Sequence, residues 1–193
     1  MPIADAAATP YERRYLYVHD PDAAPPRMLH EVAAILGRCR EAQARRRAAA
    51  HRRADELGAL LARPDAENTA VAAALQACGL PPGEGPYRVI TANTGARSGG
   101  PADGALEEGA LTEGALAEAV AHLAGPGPAA VGRLPDRTAF AVVPGPVTLD
   151  GVWALVAACE PSIPLHGGTG APAAGPRDLA GALTEARYGL VSA

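Results

Sequence analysis

The chain contains no lysine: all 17 of its basic residues are arginine, while alanine, 22 glycines and 19 prolines dominate its composition. That bias reads as the mark of a GC-rich coding sequence rather than of a specialised surface. Cysteine is also scarce. Cys39, Cys78 and Cys159 are odd in number and include no close pair, which gives no basis for a disulfide framework or a cysteine-based zinc site and predicts reduced, buried thiols. No run of about 18 apolar residues occurs, so no spanning helix and no membrane partner are expected. The opening MPIADAAATPYERR lacks the basic start and apolar stretch of a secretory leader, and a cytoplasmic location follows as the default.

The motifs of common catalytic sites are missing too. His19, His30, His51, His122 and His166 are scattered, with no i, i+4 pair and no H-E-x-x-H, so no metal site is expected. Ser162 lacks a G-x-S-x-G elbow. Gly167-Gly168-Thr169-Gly170 follows a strand-like stretch, but the next residues, APAAGP, do not open a helix and no Walker lysine exists. Turn chemistry accounts for those glycines. No cofactor and no enzymatic activity are expected.

Charge is unevenly spread. Residues 27–63 carry nine arginines against four acids, a net of +5, while residues 64–193 carry six against thirteen, a net of −7. An acidic globular part repels a phosphate backbone, which argues against nucleic-acid binding by that part. The cluster Arg45, Arg46, Arg47, Arg52 and Arg53 has no aromatic interleaving and reads as a solvated helix face.

With 193 residues and 48% hydrophobic content, the chain suffices for one well-packed domain and an extension. Residues 1–26 form a tail or the remnant of an upstream domain, with one strand-like stretch, Tyr15–His19, ended by DPDAAPP. Residues 27–63 hold only Gly37 and Gly58 as breakers before Pro64 and predict one long helix. Met28, Val32, Ile35, Cys39 and Ala42 recur at spacings of four and three, a heptad seam that predicts pairing with a second helix. Beyond Ala42 the seam meets Arg46 and Arg53, so pairing should loosen there.

Residues 64–193 predict one α+β domain. A short helix is expected in DAENTAVAAALQACGL, with Asp65 as N-cap and Gly79 as stop. YRVITAN reads as a strand, and TGARSGGPADG together with the repeat GALEE, GALTE, GALAE as a loop running into a helix that carries Leu116, Val120 and Leu123. AAVGRL, a Pro135-Asp136 turn, TAFAVV, the helical LDGVWALVAACE, the strand IPLHGG and a last helix in PRDLAGALTEARYGLVSA complete a β-α-β-β-α-β order. The core is assigned to Val89, Ile90, Val131, Leu134, Phe140, Val142, Trp153, Leu155, Val156, Ile163, Leu165, Leu179 and Leu183. Helices are expected on one face of the sheet, with the other left to a partner.

The stretches LLARPDAENTAVAAALQACGLPPGEGPYRVITAN, GRLPDRTAFAVVPGP and PSIPLHGGTGAPAAGPRDLAGALTEARYGLVSA resemble the GGDEF-like central domain of PucR/CdaR-type transcriptional regulators over about residues 57–193. The closing strand with Gly167-Gly168-Thr169-Gly170 and the helix carrying Thr184-Glu185-Ala186-Arg187-Tyr188 are the most specific part, and are also similar to the end of diguanylate cyclases. The resemblance implies a long coiled-coil stalk followed by a degenerate nucleotide-cyclase-like, ferredoxin-like antiparallel sheet flanked by helices. It also implies a homodimer in which DNA is touched only through a helix-turn-helix that would follow Ala193. A cyclase would need carboxylates at the end of the first strand and in a Gly-Gly-Asp/Glu-Glu-Phe hairpin; here the strand ends in Ala92-Asn93-Thr94 and the hairpin reads Leu134-Pro135-Asp136-Arg137. Divalent-ion chemistry needs a cage of carboxylate oxygens, and only Asp136 remains. The expectation is a non-catalytic regulatory and dimerisation module relaying a signal between a sensor and a DNA-binding domain. The alternatives are a small-molecule effector sensor that uses the former nucleotide cleft, a stand-alone antagonist that forms heterodimers through the stalk, and an enzyme of another type, which would need a convergent polar cluster.

Overall fold

The computed structural model describes residues 26–83, 85–94, 102–125, 127–159 and 164–192. The stretch at Tyr15–His19, the tail up to Pro25, Ser162 and Ile163 lie outside them. The described chain is α+β. Helix α1 (Pro26–Leu61) and helix α2 (Asn68–Ala77) precede strand β1 (Tyr87–Thr94), helix α3 (Ala102–Ala124), β2 (Ala130–Arg133) and β3 (Ala139–Pro144). Helix α4 (Val152–Ala157), β4 (Leu165–Thr169) and helix α5 (Leu179–Ser192) complete the order. The strands make one antiparallel sheet in the order β2-β3-β1-β4. No helix among the described residues is long and apolar enough to cross a membrane.

Local chemistry explains most boundaries. Gly79, at φ +81°, ends α2 in the left-handed conformation: its amide bonds Gln76 O and the Leu80 amide bonds Leu75 O, both at 2.9 Å. Leu75 and Leu80, brought together by that turn, are fully buried. The N-terminus differs from expectation. Glu67 stands at the cap position and the helix starts at Asn68, while Asp65 accepts hydrogen bonds from the Arg63 guanidinium at 3.1 and 3.3 Å. The guanidinium two residues away takes the carboxylate that would have capped the helix.

The five-residue repeat is helix, not loop, because α3 already begins at Ala102. Alanine, leucine and glutamate favour helix strongly enough to carry Gly109 and Gly114. Thr112, Ala115, Leu116, Ala119 and Val120 then fall on one buried face at spacings of three and four.

Side chains alternate across the sheet and build two cores. Tyr87, Val89, Phe140 and Val142 meet Leu57 and Leu61 of α1, Leu75 of α2, and Leu179 and Leu183 of α5. On the opposite face Ile90, Ala92, Ala139, Ala141 and Val143 meet Leu116 and Val120 of α3 and Val156 of α4. Both faces are therefore covered by the chain's own helices, which corrects the expectation of one face left for a partner. Each fully buried leucine or phenylalanine in these layers contributes about 1.5–3 kcal/mol. The expected core positions are buried or packed against the core with two exceptions: Leu155, on the outer side of α4, is 74% exposed, and Ile163 is not among the described residues. The thiols also depart from expectation, since Cys39 and Cys159 are exposed and Cys78 is half-buried.

Candidate functional site

The hairpin between β2 and β3 lies at the same end of the sheet as the end of β1, because Ala92 and Arg133 both register with Ala139. Its turn is closed by Leu134 N to Thr138 O at 2.9 Å and Arg137 N to Leu134 O at 2.8 Å, with Arg137 at φ 70°. Leu134 is buried in the core and Pro135 is exposed. Asp136 is committed through both carboxylate oxygens. Oδ1 accepts from the Thr138 amide at 3.1 Å, and Oδ2 accepts from Arg187 Nη2 on α5. This carboxylate ties the hairpin to the last helix. On β1, Thr91 Oγ1 and Asn93 Oδ1 are buried without a hydrogen-bond partner among the described residues, and His166 of β4 stands opposite Asn93. Among the described residues, no group of three or more His, Cys, Asp or Glu side chains is placed to hold a metal ion.

A second polar cluster, which has no local sequence signature, joins α1 to the sheet. Glu113 of α3 lies with Oε1 against His51 Nδ1 of α1, and its Oε2 accepts from Arg133 Nε at 2.5 Å. The Arg133 amide donates to Asp55 Oδ1 at 2.7 Å. The Glu113 side chain is only 16% exposed. Burial pushes its carboxyl upward, but hydrogen bonding and charge from His51, with the charge and hydrogen bond of Arg133, outweigh it and hold the group below the usual glutamate range. The contact bridges both faces around β2, an edge strand. Reading the repeat as helix would have set Glu113 on a defined face, but nothing local points to His51, 62 residues earlier by the numbering.

The attachment of α1 is close as well as polar. A Cβ on Gly132 would lie 2.6 Å from Asp55 Oδ1 and 2.9 Å from Ala54 Cβ, and one on Gly58 would lie 2.5 Å from the Phe140 ring. Glycine at both positions lets the helix rest directly on β2 and Phe140.

The Gly167-Gly168-Thr169-Gly170 run also serves close approach rather than a turn. Gly167 packs under Trp153 of α4, where a Cβ would come within 2.9 Å of the indole, and Trp153 Nε1 donates to Leu165 O at 3.3 Å. Gly168 and Gly170 face the other way, and a Cβ on either would fall on the carbonyl oxygens of Ala186 and Ala182 in α5. The glycines let β4 be squeezed between two helices. Trp153 is thereby a packing residue of this face.

The outer part of α1 has a different character. No described side chain is buried between Arg27 and Arg53, a length of about 40 Å at 1.5 Å per residue. Met28, Val32 and Ile35 are 52%, 38% and 51% exposed, and Cys39 and Ala42 continue the same exposed line. All five predicted seam residues therefore lie together on one solvent-facing stripe of helix.

No protein-family model, no curated protein and no solved structure matches this chain at a significant level.

Proposed function

We propose that the chain is a non-catalytic dimerisation and relay module of the PucR/CdaR regulator type, a coiled-coil stalk set on a degenerate GGDEF-like domain. The observation that carries this reading is the division of α1. Ala54, Leu57 and Leu61 are built into the domain core, whereas Met28, Val32, Ile35, Cys39 and Ala42 offer an uncovered apolar seam at heptad spacing. A helix this exposed gains little from its own hydrogen bonds in water and is stabilised by packing its apolar stripe. A second copy supplies the matching stripe, and the arginines at 45–47, 52 and 53 keep the two helices apart nearer the domain.

Support for the ferredoxin-like ancestry comes from the antiparallel order β2-β3-β1-β4 with α3 and α4 on one face, the arrangement of a split β-α-β unit. Support for a non-catalytic role comes from Asp136, whose carboxylate is engaged by the Thr138 amide and Arg187. The relay runs through contacts already in place. Movement of the stalk shifts Asp55 and Ala54 against Gly132 and Arg133, the strand carries this into the hairpin, and the Asp136–Arg187 pair passes it to α5. DNA contact belongs to a helix-turn-helix outside these residues, as in regulators of this type.

Light scattering coupled to size-exclusion chromatography tests the proposal. A dimer mass is expected for the unaltered chain and a monomer for Ile35→Glu, with the same thermal unfolding of the domain. A monomer that persists as concentration rises overturns the stalk as a dimerisation element.

A further inference from the structure

An arginine stands where the sheet would otherwise present an apolar residue. Position 88 alternates with Tyr87 and Val89 and therefore faces the α3 and α4 side together with Ile90 and Ala92. The Arg88 guanidinium reaches along that face, and Nη1 donates to Gly170 O at 2.7 Å. Its Nε is buried and has no hydrogen-bond partner among the described residues. An arginine cannot discharge this cost by losing its proton, so the half-buried side chain keeps its full charge for an incoming acceptor.

Arg88 lines an open cleft of about 190 Å³ between the sheet and the segment before α4. Thr169 of β4 and Thr148 of that segment add hydroxyl groups to the lining, Asp150 adds a carboxylate, and the Gly167 backbone completes it. The wall is held at both ends. The Gly145 amide donates to Pro86 O at 2.8 Å, and Leu149 is buried in the core. No ion pair joins Arg88 to Asp150 among the described residues, although both line the cleft. The site is away from the hairpin, on the early half of β1 rather than at its end.

We propose that this cleft binds a small monocarboxylate, with its oxygens on the Arg88 guanidinium and a hydroxyl or ammonium donor turned toward Asp150. A guanidinium edge matches a carboxylate in geometry and charge. The volume lies below the roughly 300–1,000 Å³ that encloses drug-sized ligands, which favours a molecule of a few carbons over a nucleotide. Asp150 repels a second negative group and selects against dicarboxylates. The site is independent of stalk pairing, so a monomeric chain binds as well as a dimer.

Titration of the isotopically labelled chain, followed by NMR, tests the assignment with glycolate, acetate, malonate and inorganic phosphate as probes. Glycolate is expected to shift the Arg88 Nε–H, Thr148 and Thr169 signals saturably and more tightly than acetate or malonate. Arg88→Met should weaken glycolate binding about tenfold or more, and Asp150→Asn should bring malonate to the level of glycolate. Thr169→Val, which leaves the guanidinium in place, should weaken it less and keeps the test decisive if Arg88→Met does not fold. Absence of saturable shifts with either monocarboxylate, binding of phosphate alone, or equal binding by Arg88→Met overturns the proposal. The same titration of Ile35→Glu separates it from the dimer, since binding there must survive.

Discussion

Replacing Gly168 by alanine tests the claim that β4 is held between two helices. The added Cβ would fall on the Ala186 carbonyl and within 3.1 Å of the Leu190 amide, both backbone atoms of α5 that no rotamer change can clear. Carbon and oxygen without a covalent bond sit no closer than about 3.3 Å, so the helix must retreat by about 1 Å. That movement loosens Leu179, Leu183 and Ala186 from the core. Overpacking of this kind costs about 1–3 kcal/mol, and the rigid obstacle places Gly168→Ala toward the upper end. Removing a glycine from a strand returns about 0.5–1 kcal/mol, which leaves a net loss of about 2 kcal/mol. Gly181 supplies the control, because it lies on the exposed side of the same helix with nothing within 4 Å of its added Cβ. Gly181→Ala should stabilise by about 0.5–1 kcal/mol. Urea unfolding followed by circular dichroism, with m near 2 kcal/mol/M, should show the midpoint about 1 M lower for Gly168→Ala and slightly higher for Gly181→Ala. Protein concentration must be held constant, because association adds to apparent stability. A Gly168→Ala chain that unfolds with the unaltered one, or a midpoint moved in the same direction by both substitutions, would refute close approach of α5 to β4.

Acid unfolding should report the cluster at the base of α1. Glu113 is held below its ordinary range in the folded chain, so its contribution is present above about pH 4.3, the unfolded value, and is lost as pH falls through the folded value. Glu113→Gln should lower stability at neutral pH and remove part of the acid dependence below that point; an unchanged pH profile would show that the cluster does not hold α1. For the hairpin, a double-mutant cycle on Asp136→Ala and Arg187→Ala should give a coupling of about 0.5–1 kcal/mol, since both side chains are partly exposed and solvent screens the pair. Strict additivity in chemical denaturation would remove the hairpin-to-helix link from the relay.

The elements and their order were legible because each rests on relations within a few residues. Val89 and Ile90 mark a strand, Gly79 stops a helix through its own φ angle, and Met28, Val32, Ile35, Cys39 and Ala42 form a stripe that any helix would display. The start of α3 departs from the loop expected of a five-residue repeat because the helix propensity of its alanines and leucines prevails. What lies on each face of the sheet was decided by tertiary packing. Leu57, Leu75 and Leu183 close the side that local pattern left open, since amphipathicity shows that a helix buries a stripe but not which surface receives it. The same limit applies to the polar contacts. Glu113 meets His51 and Arg133, Asp136 meets Arg187, and Arg88 meets Gly170 across separations that only the folded chain removes. Gly168 and Gly170 look alike in a turn and in a strand, and the nearness of the α5 backbone is what makes them necessary.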